Sequence, residues 1–409
     1  MFLPQDVQFI IDTFKENSYE AFIVGGCVRD TLLNREINDY DITTNALPDI
    51  TISLFDKTIP TGLKHGTITV LLNKEPYEIT TYRVDGEYTD SRRPDEVKFV
   101  THIKEDLSRR DFTINALAYS PYFGFKDFFS GKDDLEKKLI KSVGDANKRF
   151  NEDALRMLRG IRFASQLSFT IEEKTFDAIK LNSELIRHVS YERINVELIK
   201  TLLSNNPSAG IIMLYETGLL ENIFPSLYSK YFDIPHFEKN IKTLDNLSDF
   251  IPSKLTYMIK SCFKDISLAD FSKALKKLKC DNKTLTNCIS LYSNSLGYFD
   301  IDDISSIKLY LSNIDKSLIN KILNYDKVIC DGNLQLLEKQ FIIQNILKNN
   351  EPLTIKDLAI NGSDLIEEYD LKAGKILGDI LASLLLEVFK NPDINEKSTL
   401  LTLAKSFIE

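Results

Sequence analysis

Asp39 and Asp41 flank Tyr40 in the run NDYD, and this closely spaced pair of carboxylates is the first place to look for chemistry. In an extended segment, period-2 alternation points both side chains to one face, where like charges repel unless neutralised. Such a pair suits Mg²⁺, a hard cation that prefers oxygen ligands and completes its shell with water and substrate phosphates. With a nucleoside triphosphate bound, one metal would activate a hydroxyl and a second would stabilise the leaving pyrophosphate. Asp39 and Asp41 are therefore the candidate catalytic and metal-ligating residues. Glu78, in PYEITTYRV, is a candidate third carboxylate if its strand neighbours theirs. Read alone, D-x-D is also an ordinary pair of surface acids, and Glu78 an ordinary solvent-facing glutamate.

Just upstream, AFIVGGCVRD reads as a strand running through Gly25 and Gly26 into a helix. Small residues there let backbone N–H groups approach a phosphate, and Arg29 would add a fixed charge in the first turn. The plainer alternative is a pair of turn glycines. Further on, EDALRMLRGIRF repeats charge every three residues at Asp153, Arg156, Arg159 and Arg162. A single helix over 151–167 would place these along one flank, either as a recognition surface or as a solvated charged face.

The elements that must position these groups change character near residue 125. Before it, β-rich runs (AFIVGG, YDITTN, GTITVLLN, PYEITTYRV) alternate with helical segments. After it, helical patterns dominate, at 172–182, 190–204, 207–219, 236–247, 252–262, 268–278, 303–311, 316–325, 334–347 and 362–390. The fold class is α+β, a mixed sheet with helices followed by an all-α remainder. A length of 409 residues allows two to four domains, and 43% hydrophobic with 27% charged residues describes a globular protein. No apolar stretch is long enough to span a membrane, and the N-terminal residues lack a basic signal-peptide region. Five cysteines without a C-x-x-C pair, and four scattered histidines, argue against a disulfide framework or a zinc centre. The net charge of −9 alone discourages a nucleic-acid reading, but SKALKKLKCDNK concentrates Lys273, Lys276, Lys277, Lys279 and Lys283. That run is a candidate phosphate-facing patch or a solvated helix face.

GGCVRD and NDYD are followed in order by TGLKHGT, TTYRVDGEYTDSRRPDEVKF, RRDFTINALA, EDALRMLRGIRFASQLSF and SYERINVEL. Together they resemble the class II tRNA nucleotidyltransferase and poly(A) polymerase family, of the polymerase-β-like nucleotidyltransferase superfamily. PLTIKDLAINGSDLI and GKILGDILASLL look like the tail of its Gram-positive CCA-adding branch. No H-D pair follows His236, so the phosphohydrolase domain of some members is not expected. The resemblance implies a polymerase-β-like head with a mixed sheet at 1–130, then all-α neck (131–205), body (206–349) and tail (350–409). It implies addition of CCA to tRNA 3′ ends from CTP and ATP, without a nucleic-acid template, with Mg²⁺, by two-metal nucleotidyl transfer releasing pyrophosphate.

By motif, Asp39 and Asp41 would bind the metals, and Gly26, Arg29 and Arg110 would meet the triphosphate, with Asp111 near the ribose. Asp153 and Arg156 would read the base edge, the aspartate accepting from the exocyclic amine shared by cytosine and adenine; Arg159 and Arg162 complete the nucleotide-binding set. Arg83, Asp85, Tyr88, Asp90, Arg92, Arg93 and Pro94 match the family loop implicated in switching from C to A addition. The partners implied are tRNA, CTP and ATP, without a membrane, in the cytoplasm, as monomer or homodimer. A poly(A) polymerase, an A-only or CC-only relative, and an inactive RNA-binding relative are the alternatives.

Overall fold

The computed structural model describes residues 3–37, 39–86 and 97–408. Helix α1 (Gln5–Glu16) turns Val7, Ile10, Ile11 and Phe14, spaced for one face, onto the sheet that follows. Strands β1 (Ala21–Val24), β2 (Ile42–Thr44), β3 (Thr58–Gly62), β4 (Thr67–Leu72) and β5 (Glu75–Thr81) precede a separate two-stranded ribbon, β6 (Arg83–Asp85) with β7 (Val97–Phe99). Strands β8 (Leu117–Ser120) and β9 (Gly124–Asp127) complete a seven-stranded sheet in the order β3-β4-β5-β2-β1-β8-β9. The β2–β5 pair is parallel and its neighbours are antiparallel, so the sheet is mixed, as expected.

Both faces of the sheet are covered, which explains why β1 is apolar throughout. Ala21 and Ile23 join the cluster under α1, while Phe22 and Val24 pack on the other face with Tyr82, Ile103 and Leu107. Helix α2 (Gly26–Leu32) follows β1, α3 (Pro48–Leu54) follows β2, and α4 (Ile103–Ser108) follows the ribbon.

Beyond β9 come α5 (Gly131–Glu136), α6 (Ala146–Glu152), α7 (Leu155–Leu167), α8 (Glu173–Asn182) and α9 (Tyr191–Leu202). The one helix expected over 151–167 is two. Asp153 is extended (φ −145°, ψ 103°), and its carboxylate accepts the Leu155 N–H at 3.1 Å, so an aspartate that competes for backbone donors divides α6 from α7. Apart from a two-residue parallel pair, Leu139–Ile140 with Thr170–Ile171, and isolated bridges, the described remainder is helices and their connections. The helix expected over 362–390 breaks after Tyr369, where Asp370 turns left-handed (φ 51°), and resumes at Lys375–Lys390.

The chain forms two compact units. The first takes residues up to Asp245 with Cys262–Asp265 and Lys277–Cys280; the second takes Asn246–Ser261, Ile266–Lys276 and the chain from Asp281 onward. The second unit has a core of its own, including Leu365, Leu384, Val388 and Leu400. Of the lysine-rich run, Lys277 and Lys279 fall in the first unit and Lys273, Lys276 and Lys283 in the second. No helix among the described residues is long and apolar enough to cross a membrane.

Candidate active site

The sheet brings the acids to the glycine turn. The Val24 N–H donates to the Asp41 carbonyl at 3.0 Å, and the Gly25 N–H donates to the Leu117 carbonyl at 3.0 Å. The turn thus sits between the chain leading into β2 and the start of β8. Asp39 and Asp41 lie in the irregular run immediately before β2, both exposed. In the parallel β2–β5 pair Ile42 stands opposite Ile79, so one residue earlier Asp41 and Glu78 come alongside each other. Desolvation by the protein packed around it pushes the Asp41 carboxyl above its ordinary value although the residue reaches solvent, and the charges of Asp39 and Glu78 push the same way; Arg110 and Arg159 pull it back.

Among the described residues no group of three His, Cys, Asp or Glu side chains is already arranged as a metal cage. The donors at Asp39 and Asp41 still fit a divalent cation. They are oxygen-only, mutually repelling and incompletely neutralised by the arginines, and a hard cation taking its remaining ligands from water and phosphate needs no larger protein set. The Cys27 thiol beside them is buried, and burial with the Asp41 charge pushes its pKa to about 11, so it stays protonated.

Gly25 is a glycine for two reasons. Its φ is 78°, and a Cβ there would lie 3.1 Å from Nη1 of Arg110. Arg110 therefore lies against the turn. Arg29 is 6% exposed and each of its guanidinium nitrogens has a partner: Nη1 donates to Asn115 Oδ1 at 2.7 Å, while Nε and Nη2 donate to Asp30 at 3.0 and 2.8 Å. Asn115 passes the network on, donating to Asp111 Oδ1 at 3.1 Å, and Asp111 Oδ2 accepts from Arg159 Nε at 2.7 Å. Burial alone would raise the Asp111 pKa, but Arg159 and the Asn115 amide overcome it and hold the carboxyl well below the usual range.

Asp153 sits in the break between α6 and α7, gripped by Arg193 of α9 through Nη1 at 3.2 Å and Nη2 at 2.8 Å. Arg156 donates to Glu152 at 2.7 Å and to the Arg109 carbonyl at 3.0 Å, which links α7 to the end of α4. Arg162 is buried and pairs with Glu197 of α9 at 2.6 Å. Phe163 carries three guanidinium groups, those of Arg29, Arg159 and Arg162, at 5.0, 5.3 and 3.9 Å from its ring centre. Gly26 begins α2, next to the Arg29 guanidinium. Of the expected loop residues, Arg83 and Asp85 lie in β6, while Tyr88, Asp90, Arg92, Arg93 and Pro94 lie outside the described residues.

Sequence reasoning gave no role to Asp106, Asn115, Arg193 or Glu197. Arg193 and Glu197 both belong to SYERINVEL, so that motif was the available signal; Asp106 and Asn115 flank or fall within RRDFTINALA.

Comparison with known proteins agrees with this architecture. Residues 21–141 match the Poly A polymerase head domain family, 168–230 the family described as "Probable RNA and SrmB- binding site of polymerase A", and 254–404 the tRNA nucleotidyltransferase domain 2 family. The chain is 36% identical to the CCA-adding enzyme of Staphylococcus haemolyticus over 404 residues, covering 98% of this chain and 97% of that one. It is 43% identical to the CCA-adding enzyme of Oceanobacillus iheyensis over 304 residues, 74% and 73% of the two chains. Among solved structures, the Bacillus stearothermophilus CCA-adding enzyme in complex with CTP superposes with a TM-score of 0.80 at 29% identity, covering 99% of this chain and 98% of that one. The Thermotoga maritima CCA-adding enzyme complexed with tRNA shares the fold, with a TM-score of 0.71 at 21% identity over 100% and 97% of the two chains. An identity of 36% over almost the whole length of both this chain and the Staphylococcus haemolyticus enzyme leads to one assignment: the chain belongs to the CCA-adding enzyme family.

Proposed function

We propose that this protein builds the CCA end of tRNA in the cytoplasm, adding two C residues and one A from CTP and ATP without a nucleic-acid template. The observation that carries the reading is the alignment of Asp41 with Glu78 beside the Gly25 turn, with Arg110 lying against that turn. Arg159 interacts electrostatically with both Asp41 and Asp153, which supports treating the acids and the α6–α7 break as one site.

In this reading the tRNA 3′-hydroxyl attacks the α-phosphorus, a new P–O bond forms, and the bond to the β-phosphate oxygen breaks to release pyrophosphate. Asp39 and Asp41 would hold Mg²⁺, which when bound would supply polarisation of the attacking hydroxyl and charge neutralisation at the leaving group. Gly26 lets the triphosphate approach the turn, and Arg110 and Arg29 give the positive wall, Arg110 with its fork toward phosphate oxygens. Asp111 orients Arg159 and lies toward the ribose. Asp153 accepts from the exocyclic amine of cytosine or adenine, Arg156 donates to the base edge, and uracil or guanine leaves both unpaired. Arg162, tied to Glu197, keeps α7 fixed against α9 while those side chains read the base. The work divides as catalytic head (1–130), base-reading neck (131–205), helical body (206–349) and tRNA-holding tail (350–409), the last two gripping tRNA by shape and backbone.

The test is incubation with Mg²⁺ and tRNA transcripts ending before, within and after CCA, with each nucleotide singly and with CTP and ATP together. Growth that stops at CCA supports the reading. A long A tail selects polyadenylation, CC alone or a terminal A alone selects a split-activity enzyme, and no product selects an RNA-binding relative.

A further inference from the structure

Asp106 is fully buried, and the mechanism above gives it no part. Its carboxylate nevertheless gathers donors from three directions. Oδ1 accepts from Nε and Nη2 of Arg109 at 3.0 and 2.8 Å and from the Arg83 amide of the ribbon at 3.4 Å. Oδ2 accepts from Nη2 of Arg110 at 3.4 Å, and the hydroxyl of Thr43, two residues beyond Asp41, lies 3.5 Å away with its one proton shared with the Thr80 carbonyl at 3.0 Å.

Arg110 is the member that reaches the site. One end of its guanidinium meets Asp106 and the other lies against Gly25, while its Nε is buried with no hydrogen-bond partner among the described residues. A long side chain held from behind by a buried carboxylate has lost its rotamer freedom before a ligand arrives, so less remains to be lost on binding. The same carboxylate also balances the charge of Arg109.

We infer that Asp106 is a positioning residue, anchoring Arg110 so that its guanidinium faces the triphosphate at the glycine turn. The inference rests on the reading of Arg110 as a phosphate-binding residue.

The test is steady-state kinetics on a tRNA ending in a single C, varying CTP, for the parent, Asp106→Asn, Arg110→Ala and the double variant, with melting curves for each. Asp106→Asn is expected to raise KM for CTP about tenfold while kcat stays within about threefold. The double variant is expected to match Arg110→Ala within about twofold, because a residue acting only through Arg110 has nothing left to act on. Additive losses, or an unchanged KM in Asp106→Asn where Arg110→Ala raises it, overturn the inference. An Arg110→Ala that keeps its KM overturns the phosphate reading of Arg110, and this inference with it. Asp106→Asn leaves two arginines short of a counter-charge. If it melts below the assay temperature, Asp106→Glu replaces it, keeping the charge but moving the carboxylate by one methylene. The same rise in KM is expected there, and a parental KM overturns the proposal.

Discussion

Arg193 holds both oxygens of Asp153 across 40 residues of sequence, so the proposed base-reading carboxylate has a fixed orientation before any nucleotide enters. Its remaining acceptor capacity is directed rather than free to rotate. Losing Asp153, Arg156 or this anchor should therefore relax selection more than it slows chemistry. Asp153→Ala, Arg156→Ala and Arg193→Ala are each expected to lower the CTP:UTP ratio of kcat/KM by about 10- to 100-fold, the worth of one or two polar contacts. Single-nucleotide incorporation with UTP and GTP measures it, and an unaltered preference removes the template role.

The acid pair carries a different signature. Asp39→Ala or Asp41→Ala should reduce incorporation by more than about a thousandfold while leaving the melting temperature and tRNA affinity nearly unchanged, since both side chains are exposed. Glu78→Gln, one strand away, should cost less, about tenfold to a hundredfold. Turnover retained in either aspartate variant would contradict the metal assignment.

Gly131 starts α5 where the turn Thr113–Asn115 passes close by. A Cβ on Gly131 would lie 2.2 Å from the Thr113 carbonyl oxygen, a backbone atom that cannot swing aside. Gly131→Ala is expected to destabilise the first unit by about 2–3 kcal/mol and, by moving Asn115 away from Arg29, to lower activity as well. Denaturant titration gives the first quantity; turnover below the midpoint gives the second.

In the second unit burial pushes Asp326 from 3.8 to about 6, against the opposing pull of Ser295 and the Leu296 N–H. A carboxyl whose folded value exceeds its unfolded one contributes stability that is complete below about pH 4 and lost as pH rises through about 6. Asp326→Asn, neutral throughout, should lack this slope. The stability difference between parent and variant is expected to shift against the parent by about 2–3 kcal/mol between pH 4 and 7 in urea titrations.

What was legible in the sequence was local. β1, β2, β4 and β5 announce themselves by alternation or by short apolar runs, and the acid pair and glycine turn by adjacency. What escaped was set at long range or against propensity. Arg29–Asn115 and Arg193–Asp153 join residues 86 and 40 positions apart, and no periodicity encodes such pairings. The helix Asn282–Asn294 was missed because its Thr, Asn and Ser content is poor helix material; Asp281 caps it, and buried Cys288 and Leu291 hold it. The break at Asp153 was hidden because the charged spacing on either side continues a helical rhythm.

The Val24–Asp41 backbone bond has a consequence for how such a protein can change. It makes the distance from glycine turn to acid a property of strand spacing, insensitive to side-chain identity. The groups proposed to choose the nucleotide sit instead at a helix junction, held by side-chain pairs such as Arg193 with Asp153. Reaction and repertoire are thus separately mutable: a lineage, or a protein engineer, can rewrite which nucleotide is accepted at the junction without moving the machinery that joins it.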